Sequence, residues 1–172
     1  MTKNIKPSVP SKSRASAAQV AAHTPERLLT YRVSVLAQTL SRLVDTSVRE
    51  SLGLTSRQWR VLVVLNRLGT CSSGEVAHMA SFDHSQVSRV AFELAEKGLL
   101  SQGSDPADRR KLVLSLTPAG VECLRSGIPA SLQREARLRS RLSEEDYDAL
   151  IRSMDALEDE ARKLLEETRK TR

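Results

Sequence analysis

Hydrophobic positions recur at helical spacing through most of this chain. The longest early stripe alternates spacings of four and three residues and consists of Leu29, Val33, Leu36, Leu40 and Leu43. Such a stripe forms one apolar face of a helix. Thr24-Pro25-Glu26 supplies a cap residue, a proline at the first helical position and an acid near the positive end of the helix dipole. The pattern predicts a long amphipathic helix over residues 24–53, with Gly53 at its end.

A second stripe of the same kind lies near the other end of the chain. Ser143 and Asp146 stand at capping distance, and the stripe that follows contains Tyr147, Leu150, Met154, Leu157, Ala161 and Leu164. The preceding helix begins at Thr117-Pro118, and Gly127 and Pro129 predict a kink or a break within it. A chain of this size does not need two such stripes for its own core, so they predict a two-fold dimer, with packing on each other within one chain as the alternative.

The central part of the chain is predicted to fold as a series of short helices. Thr55 and Gln58 form a capping box before an apolar helix that contains Trp59, Leu62, Val63 and Leu65 and ends near Gly69. The capping spacing recurs at Ser72 with Glu75 and at Asp83 with Gln86. Two short helices joined by so tight a turn indicate a helix-turn-helix.

The second helix of this motif has one apolar and one polar face. Val87, Val90, Ala91 and Leu94 recur on the inner face, and Gly98 favours a left-handed end. The outer face near the helix start then contains Ser85, Gln86, Ser88 and Arg89. This end of a recognition helix reaches base edges in the major groove, so these four residues are predicted to bind DNA.

A hairpin follows the helix-turn-helix. Leu99 and Leu100 begin one strand, and alternating leucines from Leu112 to Leu116 indicate another. The turn between them, residues 105–111, includes four residues predicted to contact DNA: Asp108, Arg109, Arg110 and Lys111. Asp108 or a neighbouring acid is expected to hold one arginine and so shape this wing, while the other cations reach the minor groove and its phosphates.

These elements predict a mainly α fold with a small β-hairpin wing. The expected organisation is a disordered basic tail over residues 1–23, a dimerisation helix over 24–53, a winged helix-turn-helix lobe over 54–117 and dimerisation helices over 118–172. The net charge of +6 does little to support DNA binding, because Lys3, Lys6, Lys12 and Arg14 account for +4 of it within the tail. Aromatic residues make up only 3% of the chain, which disfavours stacking on single strands and therefore favours duplex DNA.

Catalytic chemistry is not indicated. The chain has no glycine-rich phosphate loop or nucleophile elbow, and its three histidines lack zinc-ligand spacing, so no enzyme, cofactor or metal site is predicted. No apolar run reaches the length of a membrane span or a signal peptide, which predicts a cytoplasmic protein without membrane contact, associated with the nucleoid through DNA. Cys71 precedes the Ser72 cap, where a helix dipole can lower the pKa of a thiol.

The motifs together resemble the MarR family of bacterial transcriptional regulators. The resemblance covers residues 28–165 and rests on the following segments: Gln86-Val87-Ser88-Arg89, Glu96-Lys97-Gly98-Leu99, Asp108-Arg109-Arg110 and Leu116-Thr117-Pro118-Ala119-Gly120. It implies a homodimeric repressor that binds a palindromic operator and is released by a small aromatic or phenolic acid or its thioester. The first wing strand, Ser101-Gln102-Gly103, departs from the family because it lacks the arginines often found there.

The resemblance also places the effector where the dimerisation helices meet the lobe. On this basis Arg32 is a candidate partner for the acid, and Trp59 and Val63 are candidates for an apolar wall. A solvent-exposed Arg32 and a wholly buried Trp59 remain equally acceptable interpretations. Two other functions also stay open: a redox-switched regulator that uses Cys71 or Cys123, and an architectural protein that coats DNA without reading its sequence.

Overall fold

The computed structural model describes residues 15–104 and 112–171. The chain divides into two compact units, one ending at Val44 and the other beginning at Asp45. The helices are α1 (Ala17–Ala22), α2 (Leu29–Leu52), α3 (Ser56–Leu68), α4 (Ser73–Ala80), α5 (His84–Glu96), α6 (Pro118–Arg139) and α7 (Glu144–Lys170). The strands are β1 (Cys71–Ser72), β2 (Leu100–Ser104) and β3 (Leu112–Leu116). This composition confirms the predicted mainly helical fold with a small antiparallel sheet.

The start of the chain differs from the prediction in two places. Residues 17–22 form helix α1, with Ser16 and Gln19 in a reciprocal capping box, so the expected disorder of residues 1–23 is wrong there. The first long helix begins at Leu29 instead of Thr24. Pro25–Arg27 form a separate 3-10 turn, and Leu28 then adopts an extended backbone that interrupts the helical path. The proline thus starts a short turn, as its fixed φ allows, but not the long helix.

The core of the second unit lies between α3, α4, α5 and the sheet. Its largest fully buried side chains are Leu54, Val61, Leu62, Leu65, Val76, Val87, Leu94 and Leu114. Strand β3 lies in the middle of the sheet, with β1 on one side and β2 on the other, both antiparallel to it. The sheet therefore closes the open side of the three-helix core and holds the hairpin beside α5.

Helix α3 is connected to α5 through one buried polar side chain. The Gln58 side-chain oxygen accepts from the backbone N–H of Thr55 at 2.9 Å, which completes the predicted capping box. Its Nε2 donates to Glu93 in α5 at 2.8 Å. Both ends of a buried amide are thereby satisfied, as burial requires.

Helix α6 is continuous from Pro118 to Arg139, although Pro129 lies inside it, so the break is wrong, while the predicted alternative of a kink is not tested. Gly127 has a packing function instead. A Cβ added there would lie 2.5 Å from the Trp59 ring and 2.7 Å from Leu52 Cδ1. The glycine therefore allows α6 to lie directly against the indole.

Helix α7 begins at the predicted Ser143 cap, whose hydroxyl accepts from the Asp146 backbone N–H at 3.0 Å. No residue of this 27-residue helix is buried within the single chain. Exposed ion pairs join Arg162 to Glu158 at 2.5 Å and Lys163 to Glu160 at 3.7 Å. The apolar stripe of α7 is therefore present but uncovered.

Candidate nucleic-acid interface

The turn between α4 and α5 is held from two sides. Ser81 ends α4 in the left-handed conformation, with φ of 54°, and its N–H bonds back to the carbonyl of His78 at 3.3 Å. From α3, the Arg60 guanidinium lies 5.3 Å from the centroid of the Phe82 ring and donates to the Ala80 carbonyl at 3.4 Å. These contacts fix the angle at which α5 leaves the turn.

The start of α5 is organised around the Asp83 carboxylate. Its Oδ1 accepts from the Gln86 backbone N–H at 2.7 Å and from the Ser85 hydroxyl at 2.6 Å. The Gln86 side-chain oxygen in turn accepts from the Asp83 N–H at 3.1 Å. The Ser85 hydroxyl, the Gln86 backbone and the nearby Arg89 charge lower the pKa of Asp83. The helix end is thus capped by an ionised carboxylate.

The two faces of α5 separate as the sequence predicts. The four inward residues, Val87, Val90, Ala91 and Leu94, are buried. Ser85, Ser88 and Arg89 are exposed on the opposite face. Gln86 is only half-exposed, and its amide oxygen is committed to the cap. A two-point contact with adenine uses both the oxygen and the nitrogen of an amide, and the Gln86 oxygen already accepts from the cap.

Sequence reasoning missed Phe92. This residue lies on the same outer face of α5, three positions after Arg89, and is 63% exposed. Its spacing from Ser85, Ser88 and Arg89 was visible in the sequence, but an aromatic residue in a helix is usually assigned to a core. The structure shows that the core face of α5 is complete without it.

The wing is described only in part. Strands β2 and β3 form its stem, with Ser104 opposite Leu112 at the end of the described register. The predicted contacts Asp108, Arg109, Arg110 and Lys111 lie outside the described residues. The exposed part of β2 consists of Ser101, Gln102, Gly103 and Ser104, and it contains no cation.

The predicted effector residues have different environments. Arg32 is exposed on α2 in the first unit. In the second unit, Trp59 is 5% exposed with its ring against Gly127, while Val63, one turn later, is 42% exposed. The buried interpretation of Trp59 therefore describes its packing, and the binding role of these three residues stays a prediction.

The cysteines lack the environment of a reactive thiol. Burial raises the pKa of the Cys71 thiol, and the neighbouring Glu75 carboxylate raises it further. Burial also raises the pKa of Cys123. The expected lowering at Cys71 by the helix dipole is therefore wrong, because desolvation of the thiolate dominates, and a redox switch has no support here.

Metal-ligand clusters and membrane-spanning helices are both absent from residues 15–104 and 112–171. In this part of the chain, no three histidine, cysteine or acidic side chains converge as metal ligands would. Within the same residues, none of the helices combines the length and the apolar character that a bilayer crossing demands.

A capped helix-turn-helix followed by a β-hairpin defines a winged helix-turn-helix protein. The MarR family profile matches residues 52–111, which cover this motif. A protein of Thauera aromatica assigned to regulation of the hcr operon is 30% identical over 99 residues, or 58% of this chain. The transcriptional repressor NicR of Pseudomonas putida is 31% identical over 80 residues, or 46% of this chain. The matched segments span 60% and 51% of these relatives' own lengths.

Solved structures extend the likeness beyond the lobe. A MarR/EmrR family regulator from Acinetobacter sp. ADP1 superposes with a TM-score of 0.77 at 24% identity, covering 81% of this chain and 99% of that one. Bordetella bronchiseptica BpsR, whose DNA binding is regulated by 6-hydroxynicotinic acid, superposes with a TM-score of 0.71 at 25% identity. The superposition covers 78% of this chain and 95% of that one. Sco3205 of Streptomyces coelicolor, solved with DNA, superposes with a TM-score of 0.71 at 21% identity. The superposition covers 88% of this chain and 92% of that one. Residues 52–111 thus match the MarR family of transcriptional regulators, and the chain shares the winged-helix fold of solved members of that family.

Proposed function

We propose that the chain is a transcriptional repressor that binds a palindromic operator as a homodimer. The observation that supports this proposal is the outer face of α5, where Ser88 and Arg89 are exposed on a helix whose other face is buried. A rigid helix with polar side chains near its start fits the major groove. The structural likeness to Sco3205, which was solved with DNA, supports the same use of the motif. The protein is a binding protein and not an enzyme.

Arg89 is the leading candidate for base readout. A guanidinium makes a two-point contact with the O6 and N7 of guanine, and Ser88 one position earlier can bond to either kind of base. The positive charge of Arg89 is close enough to the Asp83 carboxylate to lower the pKa of Asp83. The carboxylate therefore attracts the guanidinium weakly.

The dimer is proposed from α7. Leu150, Met154, Leu157 and Leu164 are all more than two-fifths exposed in the single chain. They recur at spacings of four, three and seven, so they form one apolar seam along about four turns of helix. A second copy offers the same seam and so covers it symmetrically. Two recognition helices would then lie about 34–36 Å apart on one face of the operator.

Operator binding is tested by footprinting the full chain on the DNA that flanks its own gene. A discrete protected palindrome is expected, and uniform protection would instead support the architectural alternative. Arg89→Ala is expected to relax preference at particular base pairs by about 1–3 kcal/mol. Arg67→Ala is the matched control, because it removes an exposed arginine from α3 and leaves α5 intact. Equal losses in the two variants would contradict base readout by Arg89.

The proposed effector is a small aromatic or phenolic acid or its thioester. The description of BpsR as regulated by 6-hydroxynicotinic acid supports an acid of this class. A ligand releases DNA only if it binds one spacing of the recognition helices more tightly than the other. Arg32, Trp59 and Val63 remain the proposed contacts on the grounds of sequence.

The effector proposal is tested with a panel of hydroxybenzoic and hydroxynicotinic acids and the matching aromatic thioesters. An active compound is expected to quench Trp59, the single tryptophan of the chain, and to release the operator. Arg32→Ala should bind the operator normally and lose the response. Arg27→Ala is a suitable control, since it removes a cation from the preceding 3-10 turn. Full release of the operator by the compound in Arg32→Ala would show that Arg32 does not belong to the effector site.

A further inference from the structure

One aromatic residue lies on the outer face of the recognition helix. Phe92 is 63% exposed, the largest exposed fraction among the bulky apolar residues of α5. Ser85, Ser88, Arg89 and Phe92 have the spacing i, i+3, i+4 and i+7, which places all four on one face. Phe92 therefore continues the polar stripe that is proposed to read DNA.

The reach of this stripe fits the major groove. Seven residues of helix rise about 10.5 Å, which corresponds to about three base-pair steps. Homeodomain recognition helices read the groove from residues at the same i, i+3, i+4 and i+7 spacing. One turn after Phe92 the stripe reaches Glu96, which is exposed and negatively charged. Phosphate repels this carboxylate, so the groove-facing part of the helix ends between Phe92 and Glu96.

The chemistry of the side chain identifies its target. A phenyl ring offers no hydrogen bond to a base edge, and the apolar group that a base pair presents in the major groove is the C5 methyl of thymine. Contact with this methyl removes apolar surface of both groups from water. A serine, an arginine and a phenylalanine on one face then supply hydrogen bonding and methyl contact together.

We infer that Phe92 is a specificity-determining residue that reads the C5 methyl of a thymine in each operator half-site. The inference rests on the proposed function, because it requires α5 to lie in the major groove. The inference adds a thymine to the recognised sequence, at a position about one turn of the α-helix beyond the base pair read by Arg89.

Uracil provides the test, because it keeps every hydrogen-bonding group of thymine and lacks only the methyl. Operator duplexes are first selected from random DNA with the full chain, and each thymine is then replaced by uracil in turn. One replacement per half-site is expected to weaken binding about three- to fivefold, the value of one buried methyl group. Phe92→Ala should bind the thymine and uracil forms of that site equally, and Phe92→Leu should keep part of the difference.

Met79→Ala is the matched control, because Met79 is an exposed apolar residue on α4 and its loss should leave the uracil profile unchanged. Circular dichroism of Phe92→Ala should match that of the parent protein, since the residue lies outside the core. The inference is overturned if no thymine is sensitive to uracil, or if Phe92→Ala lowers affinity while its uracil profile stays the same. Failure to select any discrete duplex would overturn the proposed function itself.

Discussion

The lobe formed by α3, α4 and α5 and the terminal helix α7 use the same apolar spacing with different results. In the lobe, Leu62 and Leu94 are completely buried by neighbouring elements of the same chain. In α7, Met154 is 57% and Leu164 54% exposed, and no residue of the helix is buried. An apolar stripe thus predicts that a face will be covered, but it does not identify the covering element.

The difference separates two kinds of stability. The lobe contains its own core, so its folding depends on contacts within one chain. The α7 stripe leaves apolar surface in water unless a second molecule removes it. We therefore expect substitutions in the two regions to respond differently to protein concentration, because association stabilises only by mass action.

The largest expected effect comes from charging the α7 stripe. Met154→Asp combined with Leu157→Asp should dissociate the dimer, because the two carboxylates would be buried without partners in its interface. Light scattering should then report the chain mass of 19.0 kDa instead of about twice that value. Operator binding should be lost at concentrations where the parent protein binds fully.

The control for this variant is Arg152→Asp, which adds an acid to α7 away from the stripe and should leave the dimer intact. A parent protein that is monomeric and still binds its operator tightly would contradict the dimer proposal. An unchanged mass for the double variant would show that α7 does not form the dimer interface.

The second expected effect concerns the core of the lobe. Leu62→Ala should lower the free energy of unfolding by about 2–5 kcal/mol, since it removes a fully buried side chain. In the monomeric variant with Met154→Asp and Leu157→Asp, Leu62→Ala should lower the free energy of unfolding by the same amount. In that variant Leu164→Ala should lower it by less than about 0.5 kcal/mol. Urea unfolding at several protein concentrations measures both values. Equal costs in that background would show that α7 packs within its own chain.

The third expected effect concerns the cations predicted for the wing. Arg109→Ala or Arg110→Ala should weaken binding to all DNA sequences alike. The slope of log affinity against log salt should also be reduced by about one. Arg125→Ala is the control, because this exposed arginine pairs with Glu122 on α6. Titrations of operator and random duplexes at several salt concentrations measure the effect. Unchanged affinity in both variants would show the wing assignment to be wrong.

The smallest expected effect is the pH dependence of the α5 cap. The pKa of Asp83 is lowered below its ordinary value of 3.8 in the folded chain, first by the Ser85 hydroxyl. Its stabilisation is therefore fully present above that ordinary value and is lost as the pH falls through the lowered one. Asp83→Asn keeps a capping oxygen but does not titrate. The parent protein should be more stable than this variant at pH 7, and the difference should vanish in acid. A difference independent of pH would contradict the assignment.

The sequence was most informative about the places where helices begin. Ser72, Asp83 and Ser143 all cap the helices that were predicted from them, because capping depends on residues only three positions apart. The buried face of α5 was equally predictable from its period. These local rules established the lobe and the polar side of the recognition helix.

The errors arise where distant residues decide the structure. Helix α6 continues through Pro129, and at Gly127 it packs against Trp59, a residue that lies far earlier in the chain, in α3. Phe92 was missed because its exposure depends on the core face being completed by other residues. Gln86 was assigned to base readout without regard to the hydrogen bond that its own cap requires. Local periodicity contains no information about such competition.

The hydrogen bond between Gln58 and Glu93 limits which amino acids can replace each other in this lobe. Glutamate substitutes for glutamine in an ordinary capping box, and Glu75 has that position in α4. At position 58 a glutamate would face the carboxylate of Glu93, to which the amide now donates at 2.8 Å. Two like charges in a part-buried site disfavour each other. Natural variants with glutamate in place of Gln58 should therefore carry a neutral or basic residue in place of Glu93, so that these two positions evolve as a pair.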